Sequence, residues 1–317
     1  MPPVTFIHGI SNKPPAPDLL RIWRQTLAGA ATPLPLGDLG ITSSLVYWAD
    51  LLYDPPDSDV AAHEGVLENT PAAIDGSGDA PPPQPQSPEQ AEFIARLRAT
   101  LAGEPEVEVA GAGPGPALAA SPRQGTLERV PLPWFLKQRV MNAFLRDVHH
   151  YLFDIEYGPP GRPAVRIQQV IRRRFLDAVC EPAVSRPHVV VSHSMGTVIA
   201  YDCLKRLDGC ATIDGLITIG SPLGLDEIQD KLTPGWSRAE GFPSATVTGG
   251  WTNLFDRLDP VCGFDPQLAS DYGRPAGAAV EDIPVHNEGP WRHSPTKYMR
   301  QPVFGATLER MLGLCDG

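Results

Sequence analysis

Two kinds of hydrophobic pattern take turns along the chain. One is a set of short apolar-rich runs: Val4-Thr5-Phe6-Ile7, residues 41–48, Val189-Val190-Val191, residues 213–219, Trp251-Thr252-Asn253-Leu254-Phe255 and residues 280–286. Their length and their valines, isoleucines and aromatics mark them as strands. The other is a set of longer stretches whose apolar residues recur every three or four positions. Leu19, Leu20, Ile22, Trp23 and Leu27 predict a helix over 18–31, with Asp18 as its N-cap. Phe93, Ile94, Leu97 and Leu101 predict one over 89–102. Trp134, Phe135, Val140, Phe144, Leu145, Val148, Leu152 and Phe153 predict one over 134–157, and a further helix covers 165–179. Val198, Ile199, Tyr201, Leu204 and Leu207 follow the valine run at helical spacing, and Phe304, Leu308, Met311 and Leu312 close the chain with a helix over 303–314. Alternation of this kind predicts an α/β fold with a mostly parallel central sheet and helices on both faces.

Residues 54–133 interrupt that alternation. Pro81-Pro82-Pro83-Gln84-Pro85-Gln86-Ser87-Pro88 and Gly111-Ala112-Gly113-Pro114-Gly115-Pro116 cannot build a regular core. The stretch reads as a proline- and glycine-rich insertion, carrying one helix, within a single domain of residues 1–317. A lid over an active site and a passive linker are both open readings for it.

Chemistry enters at residues 189–208. An uncharged strand, the turn Ser192-His193-Ser194-Met195-Gly196, and a helix follow one another without a gap. That sequence of elements has the geometry of a nucleophile elbow, in which a tight turn lifts a serine hydroxyl out of the sheet. The helix N-terminus beneath it favours developing negative charge. Gly196 supplies a small residue where strand and helix pass closely, and Ser192 stands where glycine is more usual.

Ser192-His193-Ser194-Met195-Gly196-Thr197 resembles the α/β-hydrolase superfamily, and within it the lipase and esterase branches, including deacylases of lipid-anchored substrates. The resemblance covers residues 1–50 and 134–314. It implies an α/β-hydrolase fold, shorter than in many members because the usual antiparallel strands ahead of the His8-Gly9 strand are missing. It also implies a triad in the chain order serine, acid, histidine. Ser194 is the expected nucleophile. Asp256 and Asp259 both follow a strand, and Asp259-Pro260-Val261 is similar to the family's acid loop, so Asp259 is favoured. His293 lies in the loop before the closing helix and is favoured over His286, which sits at a strand end. A strand ending in His-Gly precedes, in that superfamily, a loop that donates one oxyanion-hole amide. Ile10 is preferred and Gly9 stays open, with Met195 as the second donor. His8, His193, Ser221 and Leu223 are expected to line the substrate site, the last two because Gly220-Ser221-Pro222-Leu223 is similar to a loop beside the active site of lipase-like members. Ser221 is a poor rival nucleophile, because Pro222 follows it directly.

The implied reaction is hydrolysis of a carboxylic ester, including a lipid ester, without metal or organic cofactor. A thioesterase or amidase would use the same residues. A non-catalytic hydrolase-like interaction protein is the reading from a different class. Asp50 fits either the rim of the site or a turn, with the turn favoured. His149-His150 has no companion at a ligand spacing and reads as ordinary helix, and Arg166, Arg172, Arg173 and Arg174 read as a solvated basic face.

Composition narrows the partners. With 26 basic against 37 acidic residues the net charge is −11, which argues against non-specific binding to nucleic acid or to anionic membrane. No apolar stretch approaches the roughly 20 residues that span a bilayer. The N-terminus lacks the charged start and apolar run of a signal peptide. Five scattered cysteines, Cys180, Cys203, Cys210, Cys262 and Cys315, suggest reduced thiols and a cytoplasmic protein, with Cys203 and Cys210 in packing roles.

Overall fold

The computed structural model describes residues 2–59, 81–102, 134–180, 185–262, 265–273, 280–289 and 291–314. Most of the insertion, residues 60–80 and 103–133, and Cys315 thus lie outside the described residues.

Among the described residues six strands form one sheet: β1 (Pro3–Ile7), β2 (Thr42–Val46), β5 (Val189–His193), β6 (Ile213–Ile219), β7 (Val247–Phe255) and β8 (Glu281–Pro284). Their order is β2-β1-β5-β6-β7-β8, and every pairing is parallel. A separate antiparallel pair, β3 (Glu156–Tyr157) and β4 (Val165–Arg166), lies outside it. From β1 the chain steps outward to β2 on one side, and from β5 it steps outward on the other. The reversal falls between β1 and β5, whose register aligns Ile7 with Ser192. Ligands bind at such a reversal, outside the carboxyl ends of the strands.

Alternation along the strands feeds two cores. Val189, Val191, Phe6, Ile217 and Leu254 pack under α1 (Ala16–Ala28), α7 (Pro295–Met299) and α8 (Pro302–Met311) through Trp23, Leu27, Tyr298, Phe304 and Leu308. Val190, Leu216 and Trp251 face the other way. There they meet α2 (Pro88–Ala102), α3 (Trp134–Leu152), α4 (Ile167–Val179), α5 (Met195–Arg206) and α6 (Asp226–Leu232). The fold is therefore an α/β sandwich with helices on both faces, as the alternation of patterns predicted.

Several element ends differ from the expectation. α1 starts after Pro15 with no side-chain cap bond, and Asp18 sits inside its first turn, where an acid complements the helix dipole and reaches Arg21 at 3.6 Å. The helix predicted over 134–157 stops at Leu152, because Asp154 takes a left-handed conformation at φ 47° and turns the chain into β3. Residues 165–166 are strand rather than helix. Two members of the arginine run do not face solvent alone. Arg172 forks onto the buried Asp202 of α5 at 2.7 and 2.9 Å, and Arg174 binds Asp50 at 3.0 Å from a 3-10 turn, Ala49–Leu51. The short α7 was not foreseen.

Candidate active site

Strand β5 ends at His193 and α5 begins at Met195, which leaves one residue, Ser194, to make the whole turn. It does so at φ 54°, ψ −129°, a conformation that L-residues reach only under strain of about 1–3 kcal/mol. The Ser194 amide donates to Ile219 O on β6 at 3.0 Å, and the hydroxyl of Thr197 donates back to Ser194 O at 2.7 Å. The turn is tight enough that a Cβ on Gly196 would lie 2.7 Å from His8 O and 2.8 Å from Ile7 O. Only glycine lets the start of α5 pass β1 at this distance.

The loop after β7 carries Asp256 and Asp259 into the same region, and the segment after β8 carries His293. Asp259 accepts the Nδ1–H of His293 at 2.8 Å on Oδ2 and 2.9 Å on Oδ1. It also accepts the hydroxyl of Tyr298 at 2.7 Å and the amide of Val261 at 2.8 Å. Burial alone would raise the carboxyl's pKa, but His293, Tyr298 and the Val261 amide outweigh it and hold the group below its ordinary value. With Nδ1 donating, Nε2 of His293 carries the lone pair. Gly220, at φ 57°, lies under this pair: a Cβ there would be 3.1 Å from Asp259 Oδ2 and from the imidazole.

Asp256 has a different task. It accepts the Asn287 amide at 2.6 Å and Arg292 Nη1 at 3.1 Å, bracing the segment that presents His293. His286 is exposed and lies 3.0 Å from Arg292.

Ser194 and His293 are both buried, and among the described residues Ser194 Oγ and His293 Nε2 have no hydrogen-bond partner. The neighbouring side chain ties the two segments together. His193 donates from Nε2 to His293 O at 3.0 Å, and the two rings lie 4.6 Å apart. Burial, then the nearby His293 and Lys13, push the pKa of His193 well below its usual value, so it stays neutral.

The loop after β1 closes the site from the other side of the sheet reversal. A Cβ on Gly9 would lie 2.6 Å from Ser194 Cβ and 2.9 Å from His193 Nδ1. His8 is fully buried and stacks on Trp48. The Trp48 amide donates to His8 Nε2 at 2.9 Å, which leaves Nδ1–H to donate to Gly9 O at 2.8 Å. Because the peptide is trans, fixing Gly9 O on one side aims the Ile10 N–H to the other. The Met195 amide is the first of α5. Ser221 and Leu223 are buried: Ser221 Oγ meets Thr197 Oγ1 at 2.8 Å, and Leu223 O accepts Tyr272 OH at 2.7 Å. His149 and His150 bond Gln90 and Arg146 O, and burial pushes both down to about 4.

Ser194, Met195, Gly9, Ile10, His193, His293 and Asp259 thus come together at the β1/β5 reversal. Tyr298 was missed by sequence reasoning. It stands five residues after His293, and nothing local marks it as the second donor to Asp259.

A model of the alpha/beta hydrolase family matches residues 127–314, a stretch that holds Ser194, Asp259 and His293 but not the Gly9–Ile10 loop. A search of curated proteins gives no match.

Proposed function

The chain belongs to the alpha/beta hydrolase family, and from that premise we propose that it is a serine hydrolase of carboxylic esters with Ser194, His293 and Asp259 as its triad. One observation carries the reading. Among the described residues a strained serine with an unpaired hydroxyl and a histidine with an unpaired Nε2 lie on neighbouring segments at the sheet reversal, and the far side of that histidine is held by a buried carboxylate.

In this mechanism His293 Nε2 takes the Ser194 proton as Oγ attacks the acyl carbonyl. Asp259 holds the Nδ1–H tautomer and stabilises the imidazolium. The Met195 amide and that of Ile10 or Gly9 receive the oxyanion, each worth about 3 kcal/mol. His293 then returns the proton to the departing alkoxide, leaving an acyl-enzyme. Water, deprotonated by the same Nε2, then attacks the acyl carbon, and as the acid departs the imidazolium returns its proton to Ser194 Oγ. In this reading the hydrogen bond from Ser194 to His293 forms around bound substrate. His8, His193, Ser221 and Leu223 are the proposed walls of the substrate site.

The molecule works as one domain, with residues 54–133 inserted between the β1/β2 half and the β5–β8 half of a single sheet. Among the described residues no helix is long and apolar enough to cross a membrane. Cys180, Cys203, Cys210 and Cys262 are free thiols, which supports a cytoplasmic setting.

The test is turnover of p-nitrophenyl esters of rising chain length beside matched thioester and anilide substrates. Ester hydrolysis that exceeds the other two and vanishes in Ser194→Ala is expected. A dominant thioester or amide activity would overturn the ester assignment, and no turnover of any of the three would overturn the catalytic reading.

A further inference from the structure

We propose that Lys13 is a positioning residue for the oxyanion-binding loop, clamping the Ile10–Ser11 peptide so that the amides before it face the reacting carbonyl. The inference rests on the serine hydrolase reading. It starts from a group that reading does not use. The Lys13 ammonium folds back over its own loop and donates to Ile10 O, to Asn12 O at 3.2 Å and to Ser11 O at 3.3 Å. Its three N–H bonds thus meet the carbonyls of the three preceding residues.

The other side of the same peptide is also held. Ser11 N–H donates to Asp147 Oδ2 at 2.9 Å. Asp147 is fully buried on α3 and is fixed by Tyr53 OH at 2.9 Å and by Arg146 at 3.1 Å. The Ile10 C=O and the Ser11 N–H belong to one planar unit, so a cation on one end and a carboxylate on the other fix its orientation. Ser11 needs such restraint, because it sits at φ 74°, where a residue with a side chain is strained. On the N-terminal side His8 fixes the Gly9 carbonyl. Ile10 therefore lies between two peptides of set orientation, and its N–H direction is no longer free. Preorganised donors of this kind lose no reorganisation energy when charge develops.

The cation also has an electrostatic setting that can be read out. The Lys13 ammonium interacts with Asp147 of α3, to which Tyr53 and Arg146 are bonded, with Asp57 of the segment after β2 and, at longer range, with His193 of β5; the Tyr47 hydroxyl donates to Lys13 O at 3.3 Å. Burial lowers its pKa to about 8, against the opposing pull of Asp147 and Asp57. Above that pH the amine is neutral and keeps two N–H bonds for three carbonyls. Activity should therefore fall as pH rises through about 8, with the loss in kcat rather than KM.

The experiment compares full-length wild type, Lys13→Met and Lys13→Arg in p-nitrophenyl ester hydrolysis from pH 6 to 10, with Ser194→Ala as the blank and thermal unfolding alongside. Lys13→Met is expected to lower kcat about tenfold to a hundredfold, to leave KM within about threefold and to lose the alkaline limb near pH 8. Lys13→Arg keeps its charge at all these pH values, so it should recover part of kcat and also lose that limb. If Lys13→Met does not fold, the arginine variant decides by the same limb. An unchanged kcat with the limb intact in either folded variant would overturn the inference alone. Absence of Ser194-dependent turnover in the wild type would overturn the parent reading and this inference with it.

Discussion

Replacing Gly9 with alanine places one methyl group between the two halves of the proposed catalytic centre. The new Cβ would stand 2.6 Å from Ser194 Cβ and 2.9 Å from His193 Nδ1. Ordinary carbon–carbon contacts lie at about 3.5–4.0 Å, so the shortfall is about 1 Å. Neither neighbour can give way easily. Ser194 is held in its strained turn by the Ile219 carbonyl, and His193 is tied to the His293 backbone. The loop after β1 must retreat instead, by about the same 1 Å, and it carries Ile10 with it. A displacement of that size costs on the order of a hundredfold in rate, and complete loss of an oxyanion donor costs about 10²–10³. Overpacking should take a further 1–3 kcal/mol, roughly, from stability. The assay is kcat/KM on a short p-nitrophenyl ester together with urea unfolding. Gly305→Ala is the control: on α8 the nearest atom to its new Cβ is Thr32 O at 3.7 Å, and alanine should stabilise that helix by up to about 1 kcal/mol without touching activity. Gly9→Ala with kcat/KM within threefold of wild type would refute the reasoning.

Two further perturbations test the scaffold. Asp202 is buried on α5 and accepts Arg172 at 2.7 and 2.9 Å, Arg206 at 3.0 Å and Tyr151 OH at 2.7 Å. Asp202→Asn should cost about 3 kcal/mol, the low end for a broken buried pair because both arginines are partly exposed; a loss under 1 kcal/mol by urea unfolding would contradict this. His149, His150 and His188 are held neutral by burial, each with its pKa down near 4. Unfolding below pH 6.5 lets each take up a proton, so stability is full above 6.5 and falls toward pH 4, by up to about 1.4 kcal/mol per pH unit for each histidine. A urea midpoint that stays flat from pH 6.5 to 4.5 would count against it.

What the sequence made legible was local. The valine run, the one-residue turn and the spacing of Val198, Ile199, Tyr201 and Leu204 lie within twenty residues, and together they specify β5, Ser194 and α5. Side chains whose partners are far away were read less well. Arg172 and Arg174 looked like a solvated face because Asp202 and Asp50 approach them from elements 30 and 124 residues away. Cys203 and Cys210 pack in the same core as expected, but Cys180, whose sulfur accepts the Ala211 amide at 3.1 Å, also approaches; burial and then that thiol push Cys210 up to about 12. Lys13 bonds within its own loop, but its significance depends on Asp147, which α3 delivers to Ser11 from 136 residues away. Tyr298 was hidden for a related reason: the loops after β7 and β8 must both fold before its hydroxyl meets Asp259. Helix ends were misread where backbone dihedrals decide, as at Asp154.

The central claim is that Ser194 is an activated nucleophile. Labelling the full chain with a fluorophosphonate probe, followed by peptide mass analysis, tests it without knowledge of the substrate. The account predicts one modified peptide, the one containing Ser194, and its disappearance in Ser194→Ala. No label on the folded wild type, or a label that persists elsewhere in the folded variant, would contradict it.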